Sequence, residues 1–383
     1  MRFLRGLARI IFSLTFILSG FLKLTDPVGT GLIVQEYFSF MHLGFLAPAA
    51  IWVGVALSTI EFTIGISVLI GLQMRFFTGL GLAFTCIFTL LTLYLAIFNP
   101  IAECGCFGRA IHLTNWQSFF KNIVLLLLAL LIFFGRFKAT VLAPPALQWV
   151  FVGMFALLAV IFAADARFHN PRIDFTDYSV GTDLGESNAA SSQPAFETTF
   201  TYEKDGVRET FTLDNLPDST WTYVETTTKE LRGRRYRPHT EFTPDTMQGS
   251  FFAITSYDPQ KLDKEDMEYL IQFRDQALQR GIPAAIYTPE GGSHDFKAAD
   301  RKVLMTLNRS NGGVTYIKDG VIVGKWSRHN IADIDFTEVL SLDAEEEIIS
   351  HKAQARMFIL TIFLSILFVL ALIRLICRIF LSK

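Results

Sequence analysis

The chain alternates long unbroken apolar runs with one extended polar stretch. Runs matching the roughly 20 residues that a helix needs to cross a bilayer core lie near 7–25, 49–71, 76–98, 117–135, 147–164 and 357–377. Six spans are therefore expected. The first follows Met1-Arg-Phe-Leu-Arg, as a signal peptide would. Its apolar core, however, leads into Ser19-Gly-Phe-Leu-Lys-Leu-Thr-Asp-Pro27 with no small-x-small cleavage site, so it reads as an uncleaved span. From about Asp165 to Ser350 the pattern turns polar and turn-rich, which marks an aqueous domain between the fifth and sixth spans.

Within that domain, Gly185 to Pro194 is small and polar and reads as a tether. Phe200 to Lys204, Asp205-Gly206 and Val207 to Leu213 spell a hairpin, because Asp-Gly supplies the positive φ of a tight turn; Val314 to Ile317, Asp319-Gly320 and Val321 to Trp326 spell a second. Phe251-Phe-Ala-Ile-Thr reads as a strand. A helix over about Pro259–Arg280, ended by Gly281, and a strand from Ile282 follow it, which makes a βαβ unit with parallel pairing. Helices at 295–308 and 332–341 complete the expected α/β sandwich.

Composition agrees with the membrane reading. The 383 residues are 51% hydrophobic with 37 phenylalanines and 18% charged side chains, and the mean hydropathy is +0.37. A formal net charge of −2 lacks the basic excess that holds a phosphate backbone, so nucleic acid is excluded as a partner. With the N-terminus inside, Arg2, Arg5, Arg9, Arg75, Arg136, Lys138, Arg374, Arg378 and Lys383 fall on the cytoplasmic side. Only Lys23, Arg109 and Lys121 fall in the opposite short loops or at span ends. The positive-inside rule then puts both termini in the cytoplasm and the large domain outside, in a bacterial inner membrane.

The sharpest chemical feature is Glu103-Cys104-Gly105-Cys106-Phe107-Gly108, in a loop on the outer side. Two thiols one residue apart reach each other, and a disulfide in so small a ring is strained and labile. The pair fits thiol–disulfide exchange, a static bridge, reduced loop residues, or metal binding with ligands from elsewhere. Cys86 and Cys377 lie in spans and read as small apolar residues. Glu61, in the middle of the second span, is either a structural polar contact or a proton acceptor near the cysteines. Glu103 would raise a neighbouring thiol pKa, and Arg109 and His112 would lower it; each reads first as a solvated loop charge and second as a catalytic group. The Arg232–Arg237 cluster reads as a solvated loop. No two of the seven histidines have metal-pair spacing, so no metal site is expected. No cofactor motif is evident either.

Ser19-Gly-Phe-x-Lys-Leu-x-Asp26-Pro27, Glu61-x-x-x-Gly65-x-x-x-Leu69-x-Gly71 and Cys104-Gly-Cys-Phe-Gly108, with Trp116 and Asn122 beyond, resemble the DoxX/MauE family of four-helix membrane proteins over about residues 1–138. The resemblance implies disulfide handling for exported proteins through Cys104 and Cys106, and on the DoxX side an association with quinone chemistry. The aqueous domain, 196–350, resembles a thioredoxin-like fold whose central strand is Phe251–Thr255. Where that family carries Cys-x-x-Cys, this chain has Ser256-Tyr-Asp-Pro-Gln260, and Asn311-Gly-Gly lacks the usual proline. A domain without cysteine docks a partner rather than shuttling electrons.

The expected architecture is thus an α-helical polytopic membrane bundle of six spans plus an α/β thioredoxin-like domain. The segments are 1–138, a fifth helix at 139–164, a linker at 165–195, the domain at 196–350 and a final anchor at 351–383. The expected function is membrane-bound thiol–disulfide redox chemistry. Membrane lipid, a periplasmic thiol protein and a membrane redox partner are the expected contacts. The competing class is a non-enzymatic scaffold that recruits a partner to a membrane complex.

Overall fold

The computed structural model describes residues 2–101, 104–135, 144–184, 194–204, 207–211, 220–235, 242, 244, 248–291 and 296–381. Glu103, the Asp205-Gly206 turn and all but the last residue of the 185–194 tether lie outside these residues. Among the described residues, five helical segments are long and apolar enough to cross a membrane: Phe3–Thr25, Gly44–Ile70, Met74–Phe98, Asn115–Gly135 and Pro145–Phe168. They belong to α1 (Arg2–Thr25), α3 (Ala50–Ile70, preceded by a 3-10 turn), α4 (Met74–Phe98), α5 (Asn115–Gly135) and α6 (Pro145–Phe168). The expected sixth span falls within a later helix of 38 residues, Ala344–Leu381.

Glycine sets the approach of α1 to α3. A Cβ on Gly20 would stand 2.6 Å from the Phe62 backbone nitrogen, and one on Gly65 would stand 2.7 Å from that of Ile17. Without a hydrophobic drive between helices in lipid, such small-residue contacts let van der Waals packing hold them together. Both glycines belong to the motifs that carried the family resemblance.

Between α1 and α3 stands a helix that the hydropathy scan does not predict, α2 (Pro27–Phe40). Asp26 caps it by accepting the Gly29 N–H at 2.8 Å, and Pro27 opens it where the lost N–H costs nothing.

The aqueous region holds two sheets. Strands β2 (Pro194–Lys204), β3 (Val207–Phe211) and β4 (Thr222–Arg235) form a three-stranded antiparallel sheet in the order β3-β2-β4. Lys204 pairs with Val207, which leaves a two-residue connection as the sequence predicts. These strands do not join the sheet built on Phe251, although both lie in the stretch 196–350. Arg232 to Arg235, expected in a loop, are the end of β4.

The second sheet has the order β7-β6-β5-β8-β9, from β5 (Ser250–Thr255), β6 (Ala284–Thr288), β7 (Phe296–Ala298), β8 (Gly313–Lys318) and β9 (Val321–Trp326). The expected βαβ unit is present: β5 and β6 pair in parallel across α7 (Lys264–Gln279). The β8–β9 hairpin turns at Asp319 (φ 49°) and Gly320 (φ 81°), both left-handed as a two-residue turn of this kind requires.

Three helix starts differ from expectation, and in each an aspartate cap decides. Asp263 caps α7, so Pro259–Lys261 is a separate 3-10 turn. Asp300 caps α8 (Arg301–Leu307), after β7 has used Phe296–Ala298. Asp335 caps α9 (Phe336–Ser341). The 38-residue helix is α10.

The domain sits directly on the membrane module. Val28 and Leu32 of α2 share one buried cluster with Phe251, Leu304, Ile317 and Ile322 of the domain. Beside them the Arg309 guanidinium meets the Asp26 carboxylate at 2.6 Å, and both are almost fully buried. Within the segment expected as linker, Leu184 enters the same cluster, the Gly181 N–H donates to Ile322 O at 2.8 Å and Asp174 pairs with Lys325 at 2.6 Å. The domain, α2 and the cysteine loop therefore share one side of the bundle. On the other side the turn between α3 and α4 contacts the start of α6, where the Gln73 N–H donates to Gln148 at 2.8 Å.

Candidate functional site: a dithiol at the mouth of the bundle

Cys106 opens a short strand, β1 (Cys106–Arg109), between α4 and α5. Gly105 has φ +66°, and a Cβ there would meet Ile33 of α2 at 2.8 Å, so both backbone conformation and space require glycine between the thiols. The loop is pinned from two helices. Ser19 of α1 donates to the Cys106 carbonyl at 2.5 Å, and the Tyr37 hydroxyl of α2 donates to the Cys104 carbonyl at 3.0 Å while lying 3.6 Å from its sulfur.

Cys104 and Cys106 are free thiols with their sulfurs 3.2 Å apart. They are not equivalent. Cys104 is buried with Leu95 and Ile101 against Tyr37 and Phe40. Cys106 lines a cavity inside the bundle together with Lys23, Glu61, Lys121 and Asn122. The thiol of Cys104 donates to Cys106, and this bond, helped by the ammonium groups of Lys121 and Lys23, outweighs burial and brings Cys106 down to about 5. The same bond, followed by burial, pushes Cys104 up. At neutral pH the arrangement is one thiolate facing the bundle and one thiol behind it, which is the protonation state that thiol–disulfide exchange needs.

The cavity at Cys106 measures about 30 Å³, the room of a single water molecule.

Glu61 forms an ion pair with Lys23, which brings the α1 and α3 motifs together across the glycine contact. Arg109 and His112 do not line the cavity: Arg109 lies 4.0 Å from Asp177, and His112 is solvent-exposed. Cys86, on α4, is exposed on the helix surface. Lys23, Tyr37 and Lys121 are site residues that the sequence reading did not single out. The rule that flagged Glu61, an ionisable group within or bordering an apolar span, also applies to Lys23 and Lys121. Tyr37 carried no such signal, because α2 itself was not foreseen.

Outside the bundle, a cleft of about 680 Å³ lies between α2 and α8. Its walls include Glu36, Phe40, Ile101, Arg301, Lys302 and Met305. Ile101 and Phe40 separate it from Cys104.

A bundle of five candidate membrane helices among the described residues, closed by a thiol loop and with an α/β domain seated on it, defines a polytopic membrane protein. Residues 1–135 match the model of the family described as methylamine utilisation protein MauE, and residues 196–232, covering β2 to β4, match a family described as a domain of unknown function (DUF8463). No curated protein and no solved structure matches the chain. The protein is a membrane protein whose N-terminal module is MauE/DoxX-like.

Proposed function

We propose that the protein is a membrane-bound thiol–disulfide redox protein acting through Cys104 and Cys106. The observation that carries this reading is the sulfur pair itself: 3.2 Å apart, one acidic and one buried, so that a small movement closes the S–S bond. The loop faces the extracytoplasmic side, where the charge count puts it, and α10 supplies the sixth span.

The domain docks the partner. The arrangement of β6-β5-β8-β9, parallel then antiparallel, is the one a thioredoxin-like fold would have. At the end of β5 where that fold would carry its own cysteines, Tyr257 and Asp258 line a cavity with Ile51 of α3, so this end of the sheet is turned to the membrane module. A partner segment entering the cleft between α2 and α8 comes within one layer of side chains of Cys104. The name of the matched family points to methylamine utilisation; the thiol chemistry does not depend on that substrate.

The test is alkylation in intact cells with a membrane-impermeant thiol reagent, with and without prior reduction, read by mass spectrometry at Cys104 and Cys106. Labelling only after reduction, and a mixed disulfide trapped on Cys106 in Cys104→Ser, are expected. Thiols that label without reduction under every growth condition would instead favour the scaffold reading.

A further inference from the structure

The cavity beside Cys106 contains an imbalance of charge. Lining it with Cys106 are the polar side chains of Lys23 and Ser19 from α1, Glu61 from α3, Thr85 from α4, and Lys121 and Asn122 from α5. Glu61 is the single carboxylate among them, and it is taken by Lys23. Among the described residues Lys121 has no carboxylate partner; its ammonium lies 4.7 Å from the Phe107 ring centroid, next to Cys106. An ammonium at the edge of the hydrocarbon region is costly unless an anion answers it. Among the described residues the anion that Lys121 meets is the Cys106 thiolate, which exists only when the pair is reduced.

We infer that the Cys104–Cys106 disulfide is an oxidant of protein dithiols, and that Lys121 makes it one by stabilising the reduced pair. The inference rests on the redox reading above and assigns the direction of electron flow. In the step, a partner thiolate attacks the disulfide, the second partner thiol resolves the mixed disulfide, and a disulfide forms in the partner as the Cys104–Cys106 bond breaks. Two electrons pass to the pair. Of the two partner protons, one ends on the Cys104 sulfur and one goes to water, while Cys106 remains a thiolate beside Lys121. The step balances with no further reactant. Stabilising the reduced form of a dithiol raises its potential, which makes its disulfide the electron acceptor.

Lys121 is a positioning residue, so its test reads a potential. The full chain in lipid nanodiscs is equilibrated with glutathione redox buffers between pH 6 and pH 8, and the reduced fraction of Cys104 and Cys106 is read by alkylation and mass spectrometry. The native pair is expected to reach half-reduction within the glutathione range. Its equilibrium constant should change about tenfold per pH unit, one proton for two electrons. Lys121→Met should require a buffer at least tenfold more reducing and flatten the pH dependence towards none, because Cys106 then takes up the second of the two protons that glutathione gives up. Lys121→Arg, which keeps the charge, should restore the native values, so a folding defect in the methionine variant is recognised. A native pair that stays oxidised throughout the glutathione range, or a Lys121→Met variant with unchanged balance, overturns the inference while leaving redox cycling intact. A pair that dithiothreitol cannot reduce, or that is not reoxidised by oxidised glutathione, removes the redox reading as well.

Discussion

At the scale of single residues, the two cysteines are distinguished by what surrounds them. Cys106 should react with iodoacetamide far faster than Cys104 at pH 7, with a rate that falls as pH drops through about 5. The sign follows from the thiolate being the nucleophile. Cys104→Ser leaves a hydroxyl for the S–H donor and Lys121→Met removes a cation, so the methionine change moves that midpoint upward; a pH–rate profile of alkylation checks it. Glu61→Gln acts in the opposite direction. It frees the Lys23 ammonium to face Cys106, which lowers the midpoint, at a folding cost of roughly 3–5 kcal/mol for breaking a buried pair. The thiols and Glu61 were legible because each breaks a local pattern: a doublet with glycine between, and a charge in an apolar run. That Lys23 answers Glu61 and Lys121 does not was not legible. It depends on which helix faces are adjacent, and hydropathy carries no information on that.

At the scale of elements, α1 and α3 depend on glycine contact. Gly20→Leu should separate the helices, since even a Cβ there meets backbone rather than a movable side chain. The Lys23–Glu61 pair is lost with it, and the thermal unfolding midpoint in detergent should fall by several degrees. An unchanged midpoint would mean that the helices slide without cost. The apolar runs and the two Asp-Gly signals predicted most elements well, because long periodic or strongly punctuated segments depend on few tertiary contacts. The misplaced helix starts at Asp263, Asp300 and Asp335 have a common cause: a caps-first reading of Asp with the following residues would have moved each boundary. Helix α2 had the same signal in Asp26-Pro27, but at 14 residues it is too short for a span and too apolar for a loop.

At the scale of the whole molecule, one contact joins the domain to the bundle in a place that water does not reach. Arg309→Met leaves Asp26 buried and unpaired, and Asp26→Asn leaves Arg309 so; each should cost about 3–5 kcal/mol of docking and expose α2. Hydrogen exchange over 27–40 would report it as lost protection. The Lys302–Glu36 pair, on exposed side chains of the same seam, should contribute little, and Lys302→Ala should leave exchange over α2 unchanged. The docked arrangement could not be read from sequence, since Asp26 and Arg309 are 283 residues apart. That distance has a consequence for biosynthesis. At about 5–20 residues per second of translation, roughly a quarter of a minute to a minute separates the appearance of Asp26 from that of Arg309. Throughout that interval the nascent bundle presents a bare apolar helix carrying an unanswered carboxylate. A ribosome stalled before residue 309 leaves a product that membrane quality control can recognise by that face alone.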